Sequence, residues 1–145
     1  MVCTFFGHRD VSNIIKQPLK KILIDLIENK NVDLFYVGNQ GDFDKMVKQT
    51  LEELCLIYRS ISYHEVLAYI PGKRKEFDNK DYSKTIYPSI LENKPTKYAI
   101  IERNKWMIEK SQYVVTYVRY SGGAGKFKEI AEKKGRTVIN IADFV

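Results

Sequence analysis

Apolar residues along this chain alternate between short continuous runs and stripes at helical spacing. Residues 2–6 form a short apolar run rich in β-formers that ends at Gly7, which predicts a strand. Leu19, Ile22, Leu23, Leu26 and Ile27 recur at helical intervals, which predicts an amphipathic helix over residues 15–29. Pro18 fits the first turn of that helix, where a missing N–H costs nothing. Residues 32–37 read as a second strand, closed by Gly38, and Phe43, Met46, Val47, Leu51, Leu54 and Cys55 outline a second helix. Residues 61–70 read as a third strand with dense aromatics. Residues 98–110 read as a helix, 113–118 as the fourth strand, 124–134 as a helix ending at Gly135, and 137–141 as the last strand.

Repeated strand–helix alternation implies a mainly parallel sheet. With right-handed crossovers the predicted fold is α/β: a Rossmann-like, doubly wound, mainly parallel five-stranded sheet with helices on both faces. The 145 residues give room for one domain spanning 1–145. Residues 71–97 break the pattern: they are charged, carry Pro71, Gly72, Pro88 and Pro95, and show no period. A stretch of that length in a small domain predicts a lid or binding loop, with room for a short helix inside it.

In doubly wound sheets, ligands bind beyond the carboxyl ends of the strands. Four unusual segments follow predicted strands and are expected at that edge. They are Gly7-His8-Arg9, Gly38-Asn39-Gln40-Gly41-Asp42, Pro71-Gly72-Lys73-Arg74-Lys75 and Ser121-Gly122-Gly123-Ala124-Gly125-Lys126. Glycines there let backbone amides approach a ligand, and the last segment opens a helix whose positive end suits a phosphate. It has neither the Walker spacing nor GxGxxG, and a glycine-rich turn is as often purely structural. Arg9 is suited to a bidentate grip on phosphate or carboxylate. His8 is either part of that grip or a capping histidine. Asp42 and Asp44 either bond ribose hydroxyls or favour the start of the second helix. Arg103 and Glu129 are either site residues or solvated helix charges. Tyr87, Trp106 and Tyr120 are either stacking platforms or core, and His64 reads as structural.

Net charge is +6, and it is unevenly placed. Residues 1–70 hold 8 basic and 9 acidic side chains, residues 71–105 hold 9 and 5, and residues 106–145 hold 7 and 4. The excess in the second half points to an anionic partner, although solvated helix faces account for part of it. Cys3 and Cys55 match neither a disulfide framework nor a zinc spacing, and no metal-ligand cluster is apparent. No apolar run reaches bilayer length, and the start lacks a signal-peptide pattern. The expected compartment is the cytoplasm, with no membrane partner.

These segments together resemble the SLOG superfamily of Rossmann-like proteins. It takes in the LOG-type (lysine-decarboxylase-like) nucleotide hydrolases, the DNA-processing protein DprA and the YpsA-like bacterial proteins. The likeness is strongest to the short YpsA-like members. It rests on Thr-Phe-Phe-Gly-His-Arg at residues 4–9 and Tyr-Val-Gly-Asn-Gln-Gly at 36–41, then Arg-Asn-Lys-Trp-Met at 103–107 and the Gly-Gly turn at 122–125. The resemblance implies binding of a nucleotide or nucleotide-derived ligand. The LOG motif Pro-Gly-Gly-x-Gly-Thr-x-x-Glu is matched at Gly122, Gly123, Gly125 and Glu129. Ser121 replaces its proline, Lys126 replaces its threonine, and Asn104 separates Arg103 from Lys105.

The expected function is therefore sensing or sequestering a phosphate-bearing nucleotide derivative, with no further cofactor. The cradle would comprise Gly7, His8, Arg9, Gly38, Asn39, Gly41, Asp42, Ser121, Gly122, Gly123, Ala124, Gly125 and Lys126, with Lys73 and Arg74 reaching in from the lid. The alternative is a LOG-type nucleotide N-glycosidase, in which Glu129 stabilises the sugar cation and Arg103 orients substrate. A third reading is single-stranded nucleic acid binding along the basic, aromatic stretch at residues 69–87. Homodimerisation through helices is also implied by the LOG relatives, with Trp106 and Met107 as apolar contacts.

Overall fold

The computed structural model describes residues 1–70 and 82–145. Six strands form one sheet: β1 (Val2–Gly7), β2 (Leu34–Val37), β3 (Ser62–Val66), β4 (Thr85–Ile86), β5 (Tyr113–Tyr117) and β6 (Thr137–Asn140). All neighbours pair in parallel, in the order β4-β3-β2-β1-β5-β6. Four helices connect them: α1 (Lys16–Asn29), α2 (Asp42–Ile57), α3 (Ala99–Lys110) and α4 (Gly123–Lys133). The Rossmann-like α/β architecture is as expected, but the sheet has six strands rather than five.

The extra strand, β4, lies in the stretch expected to be irregular. Two residues pairing with Glu65 and Val66 at a sheet edge leave no hydrophobic period to read. Short 3-10 helices follow at Ser89–Asn93 and Thr96–Tyr98, and lead into α3. The third strand is also shorter than expected, ending at Val66, so the segment beginning at Pro71 does not follow it directly.

Alternation along the strands sorts side chains to two cores. Cys3 and Phe5 of β1, Phe35 and Val37 of β2, and Val115 and Tyr117 of β5 pack under α1 and α2. Phe6, Val66 and Val114 face the other way, against Met107 and Ile108 of α3 and Phe127 and Ala131 of α4. Leu19, Leu23 and Leu26 give α1 its buried stripe. Burying a side chain of that size contributes about 1.5–3 kcal/mol.

The strand order matters most for the site. The chain moves outward from β1 through β2 and β3 to β4, then returns to place β5 on the opposite side of β1. The loops after β1 and β5 therefore diverge to opposite faces, which opens a crevice at the carboxyl ends of these two strands.

Candidate functional site

That crevice has a volume of about 360 Å³. Its walls come from the loops after β1, β2 and β5, from the first turn of α4, and from the sheet-facing side of α3. Of the residues expected in the cradle, Gly7, His8, Arg9, Gly38, Gly122, Gly123 and Ala124 all line it, and Arg103 forms part of its lining.

The loop after β1 is fixed by packing. A Cβ on Gly7 would lie 2.3 Å from the Phe43 ring, so the backbone can pass there only as glycine. His8 follows, 7% exposed, and its Nε2 accepts the Arg119 N–H at 2.8 Å. Its ring stacks on Tyr120, with centroids 3.9 Å apart and planes 3° from parallel. Burial, and secondarily the charge of Arg119, push the imidazole pKa below its ordinary value. The neutral ring that accepts at Nε2 carries its proton on Nδ1. His8 thus pins the β1 loop to the β5 loop, a job beyond capping. Arg9 is exposed at the rim, and its carbonyl accepts the Asp42 N–H at 2.7 Å.

Arg103 sits deeper. It is 1% exposed, on the α3 stripe that continues through Ala99 and Met107. Nε donates to Asn104 Oδ1 at 2.8 Å, and Nη1 donates to Val66 O at 2.9 Å and to Asn39 Oδ1 at 3.1 Å. Nη2 has no hydrogen-bond partner among the described residues, and the guanidinium makes no ion pair with any of them. Burial lowers its pKa, and the charge of Asp44 opposes that shift. Asp44 and Glu65 offset part of the cost of burying this cation, and an anion bonded directly to it would offset more.

Asp44 lies across from it, 9% exposed in the first turn of α2. Its Oδ2 accepts the Gln40 N–H at 2.8 Å. Burial raises its pKa to about 6, against the opposing pull of that hydrogen bond and of Arg103. Gly38 separates the two groups. A Cβ there would lie 2.9 Å from Asp44 Oδ2 and 3.4 Å from Arg103 Cζ, so any side chain at 38 would intrude on both.

The first turn of α4 completes the wall. Gly122 caps the helix without a side-chain hydrogen bond. Nothing lies within 4 Å of a Cβ built on Gly122 or Gly123. Nothing in the chain requires glycine at 123, whereas the φ of +159° at Gly122 disfavours any other residue, and the backbone of both faces open space. The first N–H groups of a helix are unpaired donors carrying partial positive charge.

The remaining expected residues divide into three groups. Ser121, Gly125, Lys126 and Glu129 line a second, more open depression of about 470 Å³, together with Arg119, Lys128 and Asn140. Tyr120 and Gly122 border both spaces. Glu129 and Arg103 are thus not brought together, because Glu129 lies on the exposed side of α4 whereas Arg103 is buried under α3. Asn39 supports Arg103 without lining the crevice, and Gly41 and the exposed Asp42 stand outside it, Gly41 against the backbone of Arg9. Lys73 and Arg74 lie outside the described residues.

Gln40, Asn104 and Met107 also line the crevice and are absent from the expected set. Asp44 and Tyr120 were open alternatives in the sequence and are now placed. The signal for Asp44 was present: it stands three residues before Val47 and seven before Leu51, on the buried stripe of α2. Met107 is 1% exposed and Trp106 packs on Tyr36 at 5.1 Å, so Met107 belongs to the core rather than to an outer apolar contact. Among the described residues no His, Cys, Asp and Glu cluster could hold a metal ion, and no helix is long and apolar enough to cross a membrane. Compared with models of known protein families the chain matches none, and no curated protein is significantly similar to it.

Proposed function

We propose that this protein binds a nucleotide or nucleotide-derived, phosphate-bearing ligand in the crevice at the carboxyl ends of β1 and β5, and thereby senses or sequesters it. The observation that carries this reading is the buried Arg103 guanidinium. Nε and Nη1 are held in place, Nη2 has no hydrogen-bond partner among the described residues, and none of their carboxylates comes within ion-pair distance, although Asp44 and Glu65 stand near enough to favour the charge. A phosphate oxygen supplies the missing acceptor and a directly bonded negative charge. The uncapped start of α4, with two glycines facing open space, is a second anion-attracting wall of the same crevice. The SLOG resemblance supports the same ligand class.

A binding role fits this arrangement better than the N-glycosidase alternative. In the LOG-type scheme Glu129 stabilises the sugar cation while Arg103 orients the substrate, so the two must share one space. Glu129, the matched glutamate, borders the other depression.

Isothermal titration with AMP, ADP-ribose, cyclic ADP-ribose forms and NAD tests the proposal. One saturable site is expected for at least one of them, lost in Arg103→Met. Folded protein that takes up none of these ligands would refute it.

A further inference from the structure

Beyond the anion-binding wall, the crevice has one wall that should repel anions. Asp44 is a carboxyl, nine-tenths buried, that faces the space a phosphate would occupy. Oδ2 is engaged by the Gln40 N–H, and Oδ1 has no hydrogen-bond partner among the described residues. Arg103 Nη2 is likewise free. Asp44 Oδ2 and Arg103 Cζ and Nη1 flank the bare backbone of Gly38, 2.9 Å and 3.4 Å from the point where its Cβ would stand, which brings the two side chains to the same stretch of wall. The crevice therefore presents a charged donor and a charged acceptor side by side.

An anion alone satisfies only half of that pair. Asp44, when ionised, accepts hydrogen bonds and donates none, so a ligand group beside it must carry a proton to give. An ionised carboxylate next to a phosphate with nothing to donate costs affinity instead. We infer that Asp44 is the specificity-determining residue of the crevice: its free carboxylate oxygen accepts a hydrogen bond from a ribose hydroxyl of the ligand whose phosphate Arg103 holds. This inference rests on the nucleotide-binding reading above. The closeness of the two protein groups favours the sugar over the base as the donor, because in a nucleotide the sugar hydroxyls lie nearer the phosphate than any amine of the base does.

The other acidic residues near the nucleotide-facing loops do not fill this role. Asp42 is exposed and outside the crevice, and Asp10 is exposed at its rim. Glu65 is buried on β3, where Lys48 lies 3.8 Å from its Oε2, and it does not line the space.

Calorimetric titration at pH 7.5, above the Asp44 pKa of about 6, separates the possibilities. The probes are AMP, its 2′-deoxy and 3′-deoxy forms, IMP and inorganic phosphate. The wild type is compared with Asp44→Asn and Asp44→Leu, each checked for folding by thermal melting. Removing one ribose hydroxyl is expected to weaken binding to the wild type on the order of tenfold, the worth of a hydrogen bond to a charged group. IMP should bind like AMP. In Asp44→Leu the ribose preference should collapse to within about twofold, while inorganic phosphate should bind several-fold more tightly to both variants because a repelling charge is gone.

Reciprocal changes of that kind do not arise from a merely structural role, which would weaken every probe together. Equal affinity of wild type for AMP and both deoxy forms overturns the inference and leaves the crevice reading standing. So does a uniform loss across probes in the variants, or a preference that moves from sugar to base with IMP. If wild type binds neither AMP nor phosphate, this inference fails, and the ADP-ribose and NAD titrations decide whether the nucleotide reading fails with it.

Discussion

Arg103 and Asp44 each occupy a place on a helix stripe where the sequence pattern expects an apolar side chain. Asp44 falls in line with Val47 and Leu51, and Arg103 with Ala99 and Met107. Ionisable groups at such positions carry a cost that is readable as a pH dependence. Burial raises the Asp44 pKa to about 6, above the roughly 4 of an unfolded chain. The folded protein holds this proton more tightly than the unfolded one. Ionising Asp44 therefore costs stability above pH 6, and the cost vanishes as pH falls from 6 to 4. Asp44→Asn keeps an acceptor for the Gln40 N–H and removes the charge. It is expected to be more stable than wild type by about 2–3 kcal/mol at pH 8 and by little at pH 4.5, measured by urea unfolding. A gain that does not change with pH would contradict this. At this scale the sequence disclosed the glycines, His8 and Arg9 by their motifs. It gave Asp42 and Asp44 the same two alternatives, although the stripe through Val47 and Leu51 already set Asp44 apart as the one that is buried.

At the scale of elements, the loops after β1 and β5 contain glycines for opposite reasons. Gly7 is required by contact, since a methyl there would meet the Phe43 ring at 2.3 Å. Gly123 meets nothing, and a methyl on it would project into the open space. Gly7→Ala is expected to destabilise by about 1–3 kcal/mol, as overpacking does, whereas Gly123→Ala should leave stability within about 0.5 kcal/mol and weaken nucleotide binding several-fold. Thermal melting alongside titration distinguishes the two. Comparable loss of stability in both variants would place Gly123 in the chain's own packing. Helices and central strands were legible because buried parallel strands read as continuous apolar runs and amphipathic helices as stripes. β4 was not legible, because two edge residues carry no period. The 3-10 helices beside it were not located for the same reason of length.

For the whole molecule, the strand order does what no local pattern reveals. By returning to β5 beside β1, the chain brings segments more than a hundred residues apart into one crevice, joined by His8 and the Arg119 N–H. The net charge of +6 is divided between the two spaces, as far as the described residues go. The crevice is lined by Arg9 and Arg103 against Asp10 and Asp44, whereas Arg119, Lys126 and Lys128 gather around the outer depression with Glu129. A glycine motif that looks continuous in sequence thus serves two spaces, with Gly122 shared between them. The sequence brought Glu129 and Arg103 together only by assuming one space. The central claim is that the inner space is the ligand site. A crystal structure grown with ADP-ribose tests it most directly. A phosphate oxygen is expected within about 3 Å of Arg103 Nη2, facing the first N–H groups of α4. A ligand ordered against Lys126 and Glu129 in the outer depression, with the Arg103 guanidinium untouched, would contradict it.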